Sequence, residues 1–270
     1  MPVGQDREVL DRLSPTRRRF VLATVALAAA AAVVVAVVVV ATRPSPVDPV
    51  PQGSPGPVLL VPGYGGSTAA LEVLADALRA GGKDVTVVRP AGNGTGDLRR
   101  QGEDLDRAAR SALRRTGARS VDVVGYSAGG VVTRIWVADL GGAEIARRVV
   151  TLASPNHGTD LASLASGLGA TACPEACQQL ATDSDLLTGL NAGDETPPGP
   201  LWVAVWTTDD KTVVPPVSGS LAGAVDLAVQ DVCPALTVGH PDMPRTPAVI
   251  AIVESALGTA RPAVPEASVC

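Results

Sequence analysis

From Val58 onward, short runs of apolar and β-branched residues alternate with longer stretches of helical periodicity, and this alternation constrains the fold more than any other feature of the chain. Strands separated by helices cannot pair as tight hairpins; they line up parallel, and the helices cover both faces of the sheet. The pattern predicts strands over Val58–Val61, Val85–Arg89, Val121–Gly125, Val149–Ala153, Leu201–Thr207 and Val225–Val229, and helices over 68–80, 97–116, 128–140, 178–190 and 244–257. The expected fold class is therefore α/β, a mostly parallel sheet flanked by helices.

The first 57 residues do not share this pattern. Arg7, Arg12 and Arg17 to Arg19 precede an uncharged run from Phe20 to Ala41. That run is longer than the core of a cleaved signal peptide and close to the roughly 20 residues of a membrane-spanning helix. Arg17-Arg18 also resembles a twin-arginine export signal, with Val39-x-Ala41 as an acceptable cleavage site. Residues 1–41 are read as a signal anchor or export signal, with the positive end inside and the remainder extracytoplasmic, anchored or released after cleavage. Residues 42–57 hold six prolines and read as a stiff tether. A single domain over 58–258 and a tail over 259–270 complete the expected organisation.

Beyond residue 41 the chain carries 17 basic and 24 acidic residues, so no positive field exists to hold a polyanion. Aromatic residues are only 2%, too few for a base-stacking platform, and nucleic acid is excluded as a partner. The arginines of 97–116 belong to a solvated helix face, with Leu98, Leu105, Ala109 and Leu113 opposite and Glu103–Arg107 and Asp106–Arg110 as i, i+4 pairs. Cys173, Cys177, Cys233 and Cys270 all lie in the exported part, which suits disulfides. A zinc site would need a second short cysteine pair, which the sequence lacks. Pairing 173 with 177 and 233 with 270 is one arrangement; a cap cysteine joined to residue 233 or 270 is the alternative.

Chemistry concentrates at Gly125-Tyr126-Ser127-Ala128-Gly129-Gly130, a G-x-S-x-G pattern that follows the buried strand Val121-Asp122-Val123-Val124 and opens an apolar helix. A sharp turn there lifts the serine oxygen above the sheet, and glycine on either side avoids a Cβ clash. A serine hydroxyl is a poor nucleophile without a base, and the base needs an orienting acid. Only His157 and His240 are present. With this turn the chain order is serine, acid, histidine, which selects His240, in the loop after the last strand. Asp209 and Asp210 follow the strand Leu201–Thr207, and Asp210, leading into an apolar pair and proline, is preferred as the acid. The oxyanion of an acyl-transfer intermediate needs two donors. The Ala128 N–H is one; the Tyr64 N–H, in Pro62-Gly63-Tyr64-Gly65-Gly66, is the other. That glycine cluster fits neither a dinucleotide nor a P-loop pattern.

These two motifs, Leu152-Ala-Ser-Pro-Asn-His-Gly-Thr159, the Asp210 loop and the His240 loop together resemble the secreted bacterial triacylglycerol lipases and esterases of the α/β-hydrolase superfamily, over residues 58 to 258. The resemblance implies an α/β-hydrolase fold with a small cap after the fourth strand. It also implies hydrolysis of carboxylic esters of lipids or acylglycerols, by a monomer without metal or cofactor. Ser127 would attack, His240 would relay the proton, Asp210 would hold the imidazole, and His157 would shape the pocket wall or bond within its loop. The leucines of 161–190 either line an acyl groove or pack a short helix onto the body, and short or medium acyl esters stand beside long-chain fats. Transfer of the acyl group to another acceptor, cleavage of amides by the same triad, and a silent binding protein are the alternatives.

Overall fold

The structure, a computed structural model, describes residues 14–41 and 49–270, with side chains to Val34 in the first segment. Arg7, Arg12, Pro44 and Pro46 lie outside the described residues, as do the side chains at the expected cleavage site. The chain divides into two compact units, Met1–Pro46 and Val47–Cys270.

The first unit contains helix α1, Pro15–Ala41. Among the described residues no helix is long and apolar enough to cross a membrane, so the expected membrane-spanning anchor is not supported.

In the second unit six strands, β1 Val58–Val61, β2 Val85–Val87, β3 Val121–Tyr126, β4 Ala146–Leu152, β5 Leu201–Trp206 and β6 Val225–Ala228, form one sheet in the order β2-β1-β3-β4-β5-β6. Every pairing is parallel, as the alternation predicts, with Val58 opposite both Val85 and Asp122. Along β1 the side chains alternate between two cores. Leu59 and Val61 join Leu105, Ile135 and Trp136 on one face, and Val58 and Leu60 join Leu71, Leu74 and Ile252 on the other. The first core lies under α3, Leu98–Thr116, and α4, Ala128–Asp139; the second lies under α2, Ala69–Ala80, and the last long helix, Pro247–Ala256.

Helix α3 begins where the Asp97 carboxylate accepts the Arg99 N–H (3.0 Å) and ends at Gly117, whose φ of 71° only glycine adopts readily. Its arginines form solvated pairs: Arg110 with Asp106 (2.8 Å), Arg99 with Asp139 (2.5 Å) and Arg115 with Asp84 (2.5 Å). Arg107 pairs with Asp104, one residue closer than the expected Glu103.

Two expectations shift. The helix expected over 178–190 is broken into α6, Glu175–Gln179, and α7, Asp185–Leu190, because the Ser184 side chain accepts the Leu187 N–H (3.3 Å) and starts a new helix. With α5, Asp160–Ser166, these form the small cap after β4. Strand β4 also begins three residues earlier than the apolar run, at Ala146, so that Arg147 and Arg148 lie fully buried in the sheet. Arg147 grips the Asp122 carboxylate with two bonds (2.9 and 2.6 Å) and donates to the carbonyls of Gln52 and Gly258. Arg148 donates to the Gln52 side chain (2.6 Å) and the Ala260 carbonyl (2.7 Å). Both flanks of the domain are thereby pinned to the amino ends of β3 and β4. The tail closes with the disulfide Cys233–Cys270; the second disulfide, Cys173–Cys177, lies in the cap.

Candidate active site

The strand order reverses direction between β1 and β3, and at such a switch point the loops leaving the carboxyl ends diverge and open a crevice. Ser127 stands at that crevice, between the end of β3 and the start of α4. Its backbone is strained, with φ 54° and ψ −128°, and its N–H bonds the Leu152 carbonyl (2.8 Å). The two glycines of the motif are there for closeness: a Cβ on Gly125 would stand 2.4 Å from the Gly129 carbonyl oxygen, and one on Gly129 would stand 2.3 Å from that of Val61. Strand, turn and helix pack too tightly for any side chain at either place.

Ser127 Oγ lies 3.0 Å from His240 Nε2, and His240 Nδ1 lies 2.7 Å from Asp210 Oδ2. The other Asp210 oxygen accepts the N–H groups of Thr212 and Val213, both at 2.8 Å. With Nδ1–H donating to the carboxylate, Nε2 carries the lone pair that faces the serine hydroxyl. Asp210 and His240 are buried, which strengthens these contacts relative to water. Three elements far apart in the chain thus meet in one relay: the turn after β3, the loop after β5, and the 3-10 turn His240–Arg245 after β6.

Ala128 is the first residue of α4, where an N–H has no partner within the helix. The Gly63–Tyr64 loop runs against the nucleophile so closely that a Cβ on Gly63 would lie 2.9 Å from Ser127 Cβ. Gly65 and Gly66 turn the loop with positive φ, and the Gly65 N–H bonds the Gly94 carbonyl (3.2 Å). All five expected site residues are therefore gathered around one point.

His157 is not. Its Nε2 lies 3.0 Å from Glu195, whose second oxygen accepts the Ala222 N–H (2.8 Å). Burial raises the Glu195 carboxyl, but the bonds from His157 and Ala222 outweigh it and hold the group below its ordinary value.

Sequence reasoning missed Tyr126 and Gln230. The Tyr126 hydroxyl donates to the His240 carbonyl (3.0 Å) and its ring packs against the imidazole, with centroids 5.3 Å apart. Burial, with Asp210 nearby, pushes this phenol up to about 12, so it stays a donor. Gln230 donates to Asp209, Thr207 and the Leu236 carbonyl, joining the acid loop to the histidine loop. The only signal for Tyr126 was its place beside the nucleophile; Gln230 had none. Among the described residues no group of three or more His, Cys, Asp or Glu side chains converges as metal ligands.

The family described as Lipase (class 2) matches residues 110–226, a segment that carries Ser127 and Asp210. No curated protein sequence matches the chain. Among solved structures, Aspergillus fumigatus lipase B is similar at 19% identity and TM-score 0.63, over 75% of this chain and 52% of that one. This protein thus spans about half the length of that lipase. The mature Bacillus licheniformis lipase BlEst2 is similar at 19% identity and TM-score 0.60, over 79% of this chain and 96% of that one. The lin2722 gene product of Listeria innocua follows at 18% identity and TM-score 0.55, over 77% and 96%. The chain has the α/β-hydrolase fold of these lipases.

Proposed function

We propose that the protein hydrolyses carboxylic esters of the lipid or acylglycerol class through an acyl-enzyme on Ser127. One observation carries the reading: the hydrogen-bonded line from Ser127 Oγ through His240 to Asp210, built on a strained strand-to-helix turn. His240 Nε2 takes the proton as Oγ forms its bond to the ester carbonyl carbon, and the N–H groups of Tyr64 and Ala128 receive the oxyanion. As the intermediate collapses the C–O bond to the alcohol breaks and the imidazolium returns its proton to the leaving oxygen. Water then repeats the sequence in reverse roles, releasing the acid and restoring Ser127. Asp210 keeps the imidazole in the productive tautomer throughout.

The match to the class 2 lipases and the likeness to lipase structures support the choice of esters as substrates. Two disulfides fit an oxidising, extracytoplasmic setting. Labelling with a fluorophosphonate tests the reading: the native protein is expected to gain one adduct, mapped to Ser127, and Ser127→Ala none. An unlabelled native protein that also leaves p-nitrophenyl butyrate intact would overturn it.

A further inference from the structure

The segment from Ala153 to Thr159 carries β4 into the cap, and its last residue reaches back to the acid loop. Thr159 stands at the head of α5, where a threonine hydroxyl ordinarily accepts an N–H from the first turn; here it makes no such bond. Ser184, in the same place before α7, does. The buried Thr159 hydroxyl instead donates to the Thr212 carbonyl (2.7 Å) and accepts the Val214 N–H (3.0 Å), and the Asp160 N–H adds a bond to the Val214 carbonyl (2.8 Å).

Thr212 and Val213 are the residues whose N–H groups hold Asp210 Oδ1, which leaves Oδ2 to face His240. One peptide group carries both ends of this arrangement: the Thr212 carbonyl rests on Thr159, and the N–H across the same bond, that of Val213, rests on the carboxylate. Because a peptide is planar, fixing its oxygen fixes the direction of its N–H, and a hydroxyl on the oxygen polarises the group and strengthens the donor. Little else steadies the loop. Residues 211–215 belong to no helix or strand, and Lys211 and Thr212 are exposed, so packing acts mainly through Val213. The clasp itself is anchored in the cap: the Thr159 N–H bonds the Leu180 carbonyl (3.0 Å), and Gly158, at φ 84°, lies so close that a Cβ there would stand 2.6 Å from Thr182 Cα.

Resting on the ester-hydrolase reading, we infer that Thr159 is a positioning residue for the reaction, its hydroxyl setting the peptide between Thr212 and Val213 that aims Asp210 at His240. The start of the cap is thereby tied to the acid of the relay. The one hydroxyl proton of Thr159 is committed to Thr212, so the residue acts through Asp210 rather than on the substrate.

Steady-state kinetics on p-nitrophenyl butyrate test this. Thr159→Val keeps the shape and deletes the hydroxyl; kcat is expected to fall about 10- to 100-fold with KM within about twofold of native, because the Thr212 carbonyl and the Val214 N–H turn to water for partners and take the peptide with them. Thr159→Ser returns the hydroxyl and should restore kcat to within about threefold. Ser184→Ala removes bonds to Leu187 and Gln179 inside the cap, away from the acid loop, and should leave kcat unchanged. With Asp210→Asn already in place, Thr159→Val should cost less than about twofold, since the carboxylate it aims is gone. Thr159→Ala is the second deletion variant and should follow Thr159→Val. A loss carried by KM, Thr159→Ser as slow as Thr159→Val, the same factor lost with Asp210→Asn in place, an equal fall in kcat with Ser184→Ala, or failure of both deletion variants to fold by circular dichroism would overturn the role of Thr159 while leaving ester hydrolysis standing. A native protein that hydrolyses no ester and takes no fluorophosphonate adduct would overturn the ester reading and this role with it.

Discussion

The Asp209 carboxylate accepts the backbone N–H of Val238 at 3.2 Å, two residues before His240. Its neighbour Asp210 faces the imidazole itself. Two adjacent carboxylates therefore serve one histidine at different removes, the first holding its loop and the second its ring. Asp210→Asn is expected to lower kcat by about 10⁴, because the wrong tautomer then faces Ser127. Asp209→Asn should cost about tenfold or less, since an amide oxygen still accepts the Val238 N–H. Equal losses in steady-state kinetics would refute the division.

For the two histidines, His240→Ala should remove ester hydrolysis by several orders of magnitude, whereas His157→Ala should retain substantial activity and lose mainly stability. The reverse pattern of rates would exchange their roles.

The Glu195 contact has its own pH signature. A carboxyl held below its ordinary value of 4.5 stabilises the fold above that pH, and the contribution disappears as pH falls through the lowered value. Glu195→Gln should therefore be less stable than the native protein near neutrality, by on the order of 1 kcal/mol because solvent screens a partly exposed pair. Urea melts should show the gap closing below pH 4.5, and a gap that widened there would contradict the sign.

Arg147 and Asp122 are both fully buried, and burial raises the Asp122 carboxyl against the pull of Arg147. Arg147→Met strands that carboxylate and should cost about 3–5 kcal/mol in denaturant melts, while adding Asp122→Leu should recover most of the loss. No recovery would place the importance of Arg147 in its bonds to Gln52, Leu257 and Gly258 instead.

At the domain's edges, Cys270→Ser opens the Cys233 bridge, a loop of 37 residues whose closure is worth on the order of 3–4 kcal/mol in the chain-entropy picture. A calorimetric Tm unchanged from the native value would rule that out. A chain beginning at Ser45 should be soluble and active, whereas one beginning at Val58 lacks Gln52 and should melt lower, because Arg147 and Arg148 then lose buried acceptors. Equal melting temperatures would show that Gln52 is dispensable.

Apolar runs were enough to locate the strands, though not the start of β4, because a parallel strand covered on both faces is largely apolar, as Val58–Val61 is throughout. The motif singled out Ser127, and the order serine, acid, histidine that goes with that turn in the α/β-hydrolase pattern pointed to Asp210 and His240, which the fold brings into one hydrogen-bonded line with it. What the sequence left open depended on partners distant in the chain. Arg147 and Arg148 lie outside the strand expected from the apolar run at Val149, and only the fold brings Asp122, Gln52 and Ala260 around them, since a buried charge is tolerable only when its partners are in place. Which of Asp209 and Asp210 meets the His240 ring, and how the cysteines pair, are likewise matters of a few ångströms across the fold. Local pattern sets which face a residue shows; only the packed sheet and cap set what that face meets.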